Sequence, residues 1–203
     1  MLGAGPDSPG LRERKKARTR ASLREHALRL FSEQGYHATT VEQIAAAAEV
    51  SPSTFFRYFP TKEDLVLQDD MDTRMVEALE RQPAELSPVT AVRAAAREVF
   101  AAYTAADLIL ISENAALTMT VPEIRARAMD EFARTIAVVS EALAKRSGRP
   151  ADDLTVRTTA GAIIGVIMSI TLPWDGWSDP QNIKETFGRI DTALGLLEAG
   201  LPL

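Results

Sequence analysis

The sequence predicts an all-α protein in two parts, a small helix-turn-helix unit near the N-terminus followed by a larger helical domain. Three observations carry that expectation. Almost every segment after Arg12 repeats apolar residues at helical spacing. No stretch sustains period-two alternation bounded by hairpin turns. Two capped helical patterns, opening at Thr40 and Ser51, have only Glu49 and Val50 between them, so they must meet at a sharp angle. The 203 residues, 46% of them hydrophobic and 25% charged, have the balance of a globular chain with a sizeable core.

The first helix is expected to bury Leu23, Ala27, Leu30 and Phe31, with Gly35 as its left-handed stop. Residues 1–12 ahead of it read as a disordered tail. The second helix opens on Thr39-Thr40, where Gln43 stands three after Thr40 as a capping-box partner, and Val41, Ile44, Ala45 and Ala48 form its buried stripe. Ser51 caps the third helix and Pro52 occupies its first position, where a missing amide costs nothing. Phe55 and Phe59 anchor this helix, which leaves Ser53, Thr54 and Arg57 on other faces. Pro60 ends it. Thr61 caps a fourth helix running to about Gln82, with Glu63 and Asp64 set favourably against its dipole.

Residues 13–62 therefore read as one domain and residues 63–203 as a second. Further helices are predicted around Val92 to Tyr103 and from Pro122 through Leu143, separated by breaks at Pro83, Pro88, Pro122, Gly148-Pro150 and Pro173-Pro180. The run from about Ala160 to Leu172 reads as a buried helix, too short and too interrupted by Thr and Ser to cross a bilayer. The last helix sets Ile183, Phe187, Ile190, Leu194, Leu197 and Leu201 at alternating spacings of four and three. With Gly161 and Gly165 in the apolar helix before it, this seam is expected to form a dimer interface; burial in the monomer core is the competing expectation.

Composition excludes several classes of function. Without cysteine there is no disulfide, thiol nucleophile or thiolate metal site. The only histidines, His26 and His37, stand without a matching acid or metal-ligand cluster, and no phosphate loop or nucleophile elbow is present. Neither enzyme activity, nor a metal, nor a cofactor is expected. The first ten residues lack the apolar core of a signal peptide, so the protein is expected to stay in the cytoplasm. The net charge of −5 conceals an asymmetry: residues 1–62 hold 10 Lys and Arg against 6 Asp and Glu, whereas the remainder holds 13 against 22. A polyanion is attracted to the N-terminal part alone.

The segment GYHATTVEQIAAAAEVSPSTFFRYFPTKEDL, from Gly35 to Leu65, closely resembles the DNA-binding region of the TetR family of bacterial regulators. The resemblance includes the Gly-Tyr approach, the Thr-Thr cap, the Ile-Ala core, the Val-Ser turn, the aromatic ending of the third helix and the Lys-Glu start of the fourth. It implies a helix-turn-helix DNA-binding domain followed by a helical ligand-binding and dimerisation domain. The third helix is then expected in the major groove, where Ser53, Thr54 and Arg57 are base-reading candidates: Arg57 bidentate to guanine, Thr54 through hydroxyl and methyl, and Pro52 against a thymine methyl. Thr40, Tyr58 and Lys62 are expected on phosphates, with Thr39 and Ser51 completing the DNA-facing set. The residue matching Phe56 is usually a tyrosine whose hydroxyl touches phosphate, and this chain lacks that oxygen. Arg12, Arg14, Lys15, Lys16, Arg18 and Arg20 form either a flexible DNA-gripping arm ahead of the first helix or a solvated charge run.

The same resemblance implies an effector pocket in the second domain. Its candidate walls are Phe100, Tyr103, Met119, Phe132, Met168, Trp174 and Trp177, with Arg97, Glu113 and Asn114 as polar contacts; simple core packing is the bland and more common use of each aromatic or methionine. The expected function is a homodimeric repressor, released from a roughly palindromic double-stranded operator when a small molecule shifts the fourth helix and changes the spacing of the two recognition helices. The alternative is a helical protein-binding adaptor without specific DNA recognition.

Overall fold

The structure is a computed structural model that describes residues 10–67, 71–171 and 180–202. All regular structure among these residues is helical, as expected. The helices are α1 (Leu11–Gln34), α2 (Val41–Ala47), α3 (Pro52–Tyr58), α4 (Asp64–Leu67), α5 (Met71–Arg81), α6 (Pro88–Ala101), α7 (Ala105–Thr120), α8 (Pro122–Ser147), α9 (Leu154–Thr171) and α10 (Pro180–Glu198). The chain divides into two compact units, Met1–Gln68 and Asp69–Leu203.

In the first unit, α1 packs on α2 and α4, and α2 on α3. Leu23, Ala27 and Phe31 of α1, Ile44 and Ala45 of α2, Phe55 and Phe59 around α3, and Leu65 and Val66 of α4 are all buried. Phe55 and Phe59 are both 0% exposed, with ring centroids 6.0 Å apart, and truncating either to alanine is expected to cost about 3–5 kcal/mol. Gly35 ends α1 at φ 87° and ψ 156°. That is a glycine-only conformation rather than the left-handed helical one expected, so the stop depends even more strictly on the missing Cβ. The unit extends past the boundary expected at Lys62 because α4 belongs to its core, and the Arg24 Nε donates to the Leu65 carbonyl at 3.0 Å. The continuity expected of a fourth helix from Thr61 to Gln82 crosses residues 68–70, which lie outside the described residues; α4 and α5 occupy its two ends.

The second unit centres on α9, which packs against α8, α10 and α6, while α5 packs on α6 and α8. Ser87 caps α6, and Gly148 closes α8 in the left-handed conformation. The sequence reading missed α7, although its signal is present: Thr104 and Asp107 form a reciprocal capping box at its start. The α9 helix is also longer than the apolar run suggested. At 18 residues with mean hydropathy 1.5 it is long and apolar enough to cross a membrane by length and composition, but its packing partners are those of a core helix.

The seam of α10 requires a second correction. Ile183, Phe187, Ile190 and Leu194 are buried within the unit's own core, and Leu201 falls beyond the helix at φ 53°. The spacing of four and three marks the face turned towards α6, α7 and α9, which was the competing expectation. Arg93 of α6 reinforces this packing. Its guanidinium bonds Asp191 at 3.2 Å and Glu198 at 2.8 Å, and Arg97 reaches Asp191 at 2.8 Å. A Cβ on Gly195 would stand 3.3 Å from the Arg93 guanidinium, so glycine permits this close approach.

Candidate nucleic-acid interface

The helix-turn-helix is built from two local caps and one strained residue. Thr40 Oγ1 accepts from the Gln43 amide at 3.2 Å while Gln43 Oε1 accepts from the Thr40 amide at 2.9 Å. Ala48 ends α2, Glu49 turns the chain at φ 55°, and the Val50 amide donates back to the Ala45 carbonyl at 2.9 Å. Ser51 Oγ then accepts from the Thr54 amide at 3.1 Å with Pro52 at the first helical position. The left-handed Glu49 allows the α3 cap, Ser51, to follow two residues later and the helix to start at a new angle.

This turn aims one face of α3 inward through Phe55 and leaves the opposite side exposed. Pro52, Ser53, Phe56 and Arg57 are exposed, Thr54 and Tyr58 half-buried. The Ser51 hydroxyl also bonds Ser53 Oγ at 2.8 Å and Thr54 Oγ1 at 3.0 Å, so the predicted hydroxyl readers form one cluster around the cap. The Arg57 guanidinium lies 5.3 Å from the Tyr58 ring centroid, on the solvent side. Thr40, at the start of α2, is exposed as well.

Two predicted DNA contacts also make bonds inside the unit, Thr39 buried and Lys62 half-buried. Thr39 is 1% exposed, its hydroxyl donating to the Gly35 carbonyl at 2.8 Å and accepting from Gln34 Nε2 at 3.1 Å. It holds the turn and offers no surface to a phosphate. Lys62 Nζ donates to the carbonyls of Tyr36 and Thr39 at 2.8 and 2.9 Å and sits 3.9 Å from the Tyr36 ring centroid. The Tyr36 hydroxyl in turn donates to Glu63. Burial acts to raise the Glu63 carboxyl, but the hydrogen bonds from Tyr36, its own amide and Thr61, with the Lys62 charge beside it, outweigh burial and hold it below the ordinary value.

The basic segment is not a flexible arm ahead of the first helix. Arg12, Arg14, Lys15, Lys16 and Arg18 lie within α1 and are exposed, while Arg20 stacks over the Phe59 ring at 4.8 Å. The helix continues upstream because nothing in Leu11 to Arg20 breaks it. Among the side chains described, the first buried one is Leu23, so the turns before Arg20 stand mainly on helical bonding. Residues 1–9 of the predicted tail lie outside the described residues.

In the second unit, Phe100, Tyr103, Phe132 and Met168 pack against the same buried cluster. Phe100 stacks on Phe187 with centroids 3.6 Å apart and rings at 17°, so much of its surface is used to join α6 to α10. Met119 is half-buried and Glu113 exposed on α7. Asn114 is half-buried, and its Oδ1, like Thr171 Oγ1, is a buried polar atom with no hydrogen-bond partner among the described residues. Trp174 and Trp177 lie outside the described residues.

A capped two-helix reader with an exposed polar and basic face defines the helix-turn-helix class of DNA-binding proteins. Residues 23–68 match the family model described as bacterial regulatory proteins, tetR family, and residues 86–202 match the one described as the MftR C-terminal domain. The chain belongs to the TetR family of transcriptional regulators. It is 50% identical over 96 residues to the regulator TcmR of Streptomyces glaucescens, a match covering 46% of this chain and 42% of that one. The chain thus spans less than half of that relative. It is 25% identical over 191 residues to the putative mycofactocin biosynthesis regulator MftR of Mycobacterium tuberculosis, covering 93% of each. Among solved structures, Thermus thermophilus FadR, a repressor in complex with lauroyl-CoA, is similar with TM-score 0.56 and 26% identity over 91% of this chain and 95% of that one.

Proposed function

We propose that the chain is a homodimeric, cytoplasmic repressor that reads a palindromic operator with α3 and is released by a small amphipathic effector. The observation that carries this reading is the outward face of α3, where exposed Ser53 and Arg57 stand opposite the buried Phe55 and half-buried Thr54 lies at the edge. An α-helix fits the major groove, and a guanidinium there pairs with guanine O6 and N7. Thr40, Tyr58 and the basic turns of α1 supply phosphate contacts that set register. The excess of basic residues before position 62 supports the same assignment.

Dimerisation is supported by what α9 and α10 leave outside the core. A Cβ on Gly161, Gly165 or Gly188 would meet nothing within 4 Å, and Leu154 and Leu196 are 81% and 50% exposed. A second copy of the chain covers this face in the proposal, which two-fold related half-sites about 34–36 Å apart require. For the effector, the buried, unpaired Asn114 Oδ1 and Thr171 Oγ1, in a unit whose core cluster is apolar, support a ligand with polar and apolar parts. Lauroyl-CoA, which FadR of Thermus thermophilus binds, is the natural first probe. Effector binding lowers operator affinity by changing the spacing of the recognition helices.

Selection of duplexes from a random pool tests the reading. The expected result is an enriched site with two-fold symmetry, bound less tightly as salt rises and released by the effector. Salt-sensitive binding without an enriched site would leave only a basic surface. No binding at all would favour a protein-binding adaptor.

A further inference from the structure

The solvent side of α3 is not uniformly polar. Phe56 is 52% exposed, and of the large exposed hydrophobic residues among those described it alone belongs to the unit Met1–Gln68. Its ring touches Phe55 edge-on, with centroids 5.3 Å apart and planes at 84°, so one edge is held while much of the surface faces water. Pro52 lies four residues earlier and is exposed as well, which puts the two on one stripe of the helix. Ser53 and Arg57 flank that stripe. An apolar stripe bordered by a hydroxyl and a guanidinium suits a surface that is mostly hydrogen-bonding groups and carries one apolar feature.

The major groove is such a surface. Among the base-edge groups it displays, the C5-methyl of thymine is the apolar one. We propose that Phe56, seated beside Pro52, is a specificity-determining residue that reads a thymine methyl in each half-site. This rests on the reading that α3 enters the major groove. The ring supplies apolar area without a hydrogen bond of its own, so it discriminates by the methyl group and not by donor and acceptor pattern. Cytosine at that position lacks the methyl and presents an amino group instead, so the same stripe disfavours it. The short edge contact with Phe55 fixes the ring's direction from below, which keeps its exposed face from collapsing onto the helix.

Deoxyuridine tests this directly, because it removes the methyl and leaves every hydrogen-bonding group of thymine in place. In the duplex selected by the wild-type protein, each thymine is replaced in turn, symmetrically in both half-sites, and binding is measured for the wild type and Phe56→Ala. One position is expected to cost the wild type about 4-fold per methyl removed, or about 15-fold for the symmetric pair. Phe56→Ala is expected to bind thymine and uracil duplexes equally at that position while keeping the wild-type salt slope. Its fold is checked by circular dichroism and melting temperature, which an exposed side chain should leave unchanged. Equal binding of thymine and uracil duplexes by the wild type, or unchanged sensitivity in Phe56→Ala, would overturn the proposal while leaving the DNA-binding reading intact. Failure to bind any duplex would overturn both.

Discussion

A lysine at the edge of a DNA-binding face can neutralise a phosphate or hold the protein's own turn, and the two uses differ in their salt dependence. Lys62 is tied to the carbonyls of Tyr36 and Thr39, so it acts as a positioning residue for the segment that leads into α2. Lys62→Met is therefore expected to weaken specific binding while the slope of log affinity against log salt stays at the wild-type value. A direct phosphate contact would instead lower that slope by about 0.9. The measurement is a salt titration of both proteins on one duplex. The partners of Lys62 stand 23 and 26 residues away in the chain, which is why its role was not legible in the sequence. Thr39 escaped for a different reason: its partners Gln34 and Gly35 are near in the chain, but its burial depends on how α1 ends. The caps at Thr40 and Ser51 were legible because each is completed within three residues. Phe56 was noticed only as a missing hydroxyl; its exposure required the direction of α3.

Helical periodicity says that a face is apolar but not what covers it. The α10 seam illustrates this, because Ile183, Phe187, Ile190 and Leu194 meet α6, α7 and α9 of their own chain. The proposed dimer surface keeps Gly161 and Gly165, which the sequence already sets apart, and replaces the large residues of the seam with Gly188, Leu154 and Leu196. Gly165→Gln, placed where a Cβ meets open space, is expected to leave the monomer folded and to shift the light-scattering mass towards that of one chain. An unchanged dimer mass would move the interface elsewhere. The helix α1 begins upstream of the basic segment, at Leu11, because Arg, Lys and Ala are good helix formers. Its exposed Arg12, Lys15 and Lys16 are like-charge neighbours at spacings of three and four, an arrangement that costs helix stability unless anions neutralise it. Replacing all three with Gln is expected to reduce the salt slope by up to about 2.7 without altering base preference. An unchanged slope would return these turns to the role of a solvated face.

Across the whole molecule, buried or bonded carboxylates set the response to acid. Glu63, Asp107, Asp153, Asp191 and Glu198 all lie below their ordinary values. Hydrogen bonds from Arg97 and then Arg93 outweigh burial at Asp191. A carboxylate whose folded pKa is depressed contributes fully above its unfolded pKa, here 4.5 for glutamate and 3.8 for aspartate. That contribution is lost as pH falls through the folded value. The melting temperature is thus expected to stay flat from neutral pH to about pH 5 and to fall below it, less steeply in Asp191→Asn; a midpoint that drops between pH 7 and 6 would contradict this. The all-α class and the family were legible because the local signals agree with one another over thirty residues. The effector contacts were not, because the pocket candidates Phe100 and Tyr103 have the same apolar character whether they line a cavity or join helices. The central claim, that α3 reads bases, is tested most directly by comparing wild type and Arg57→Ala on every single-base variant of the selected duplex. Arg57→Ala is expected to lose discrimination at one guanine per half-site, by about 1–3 kcal/mol, and to keep the remaining preferences. A uniform loss of affinity across all variants, with base preferences unchanged, would contradict direct readout by α3.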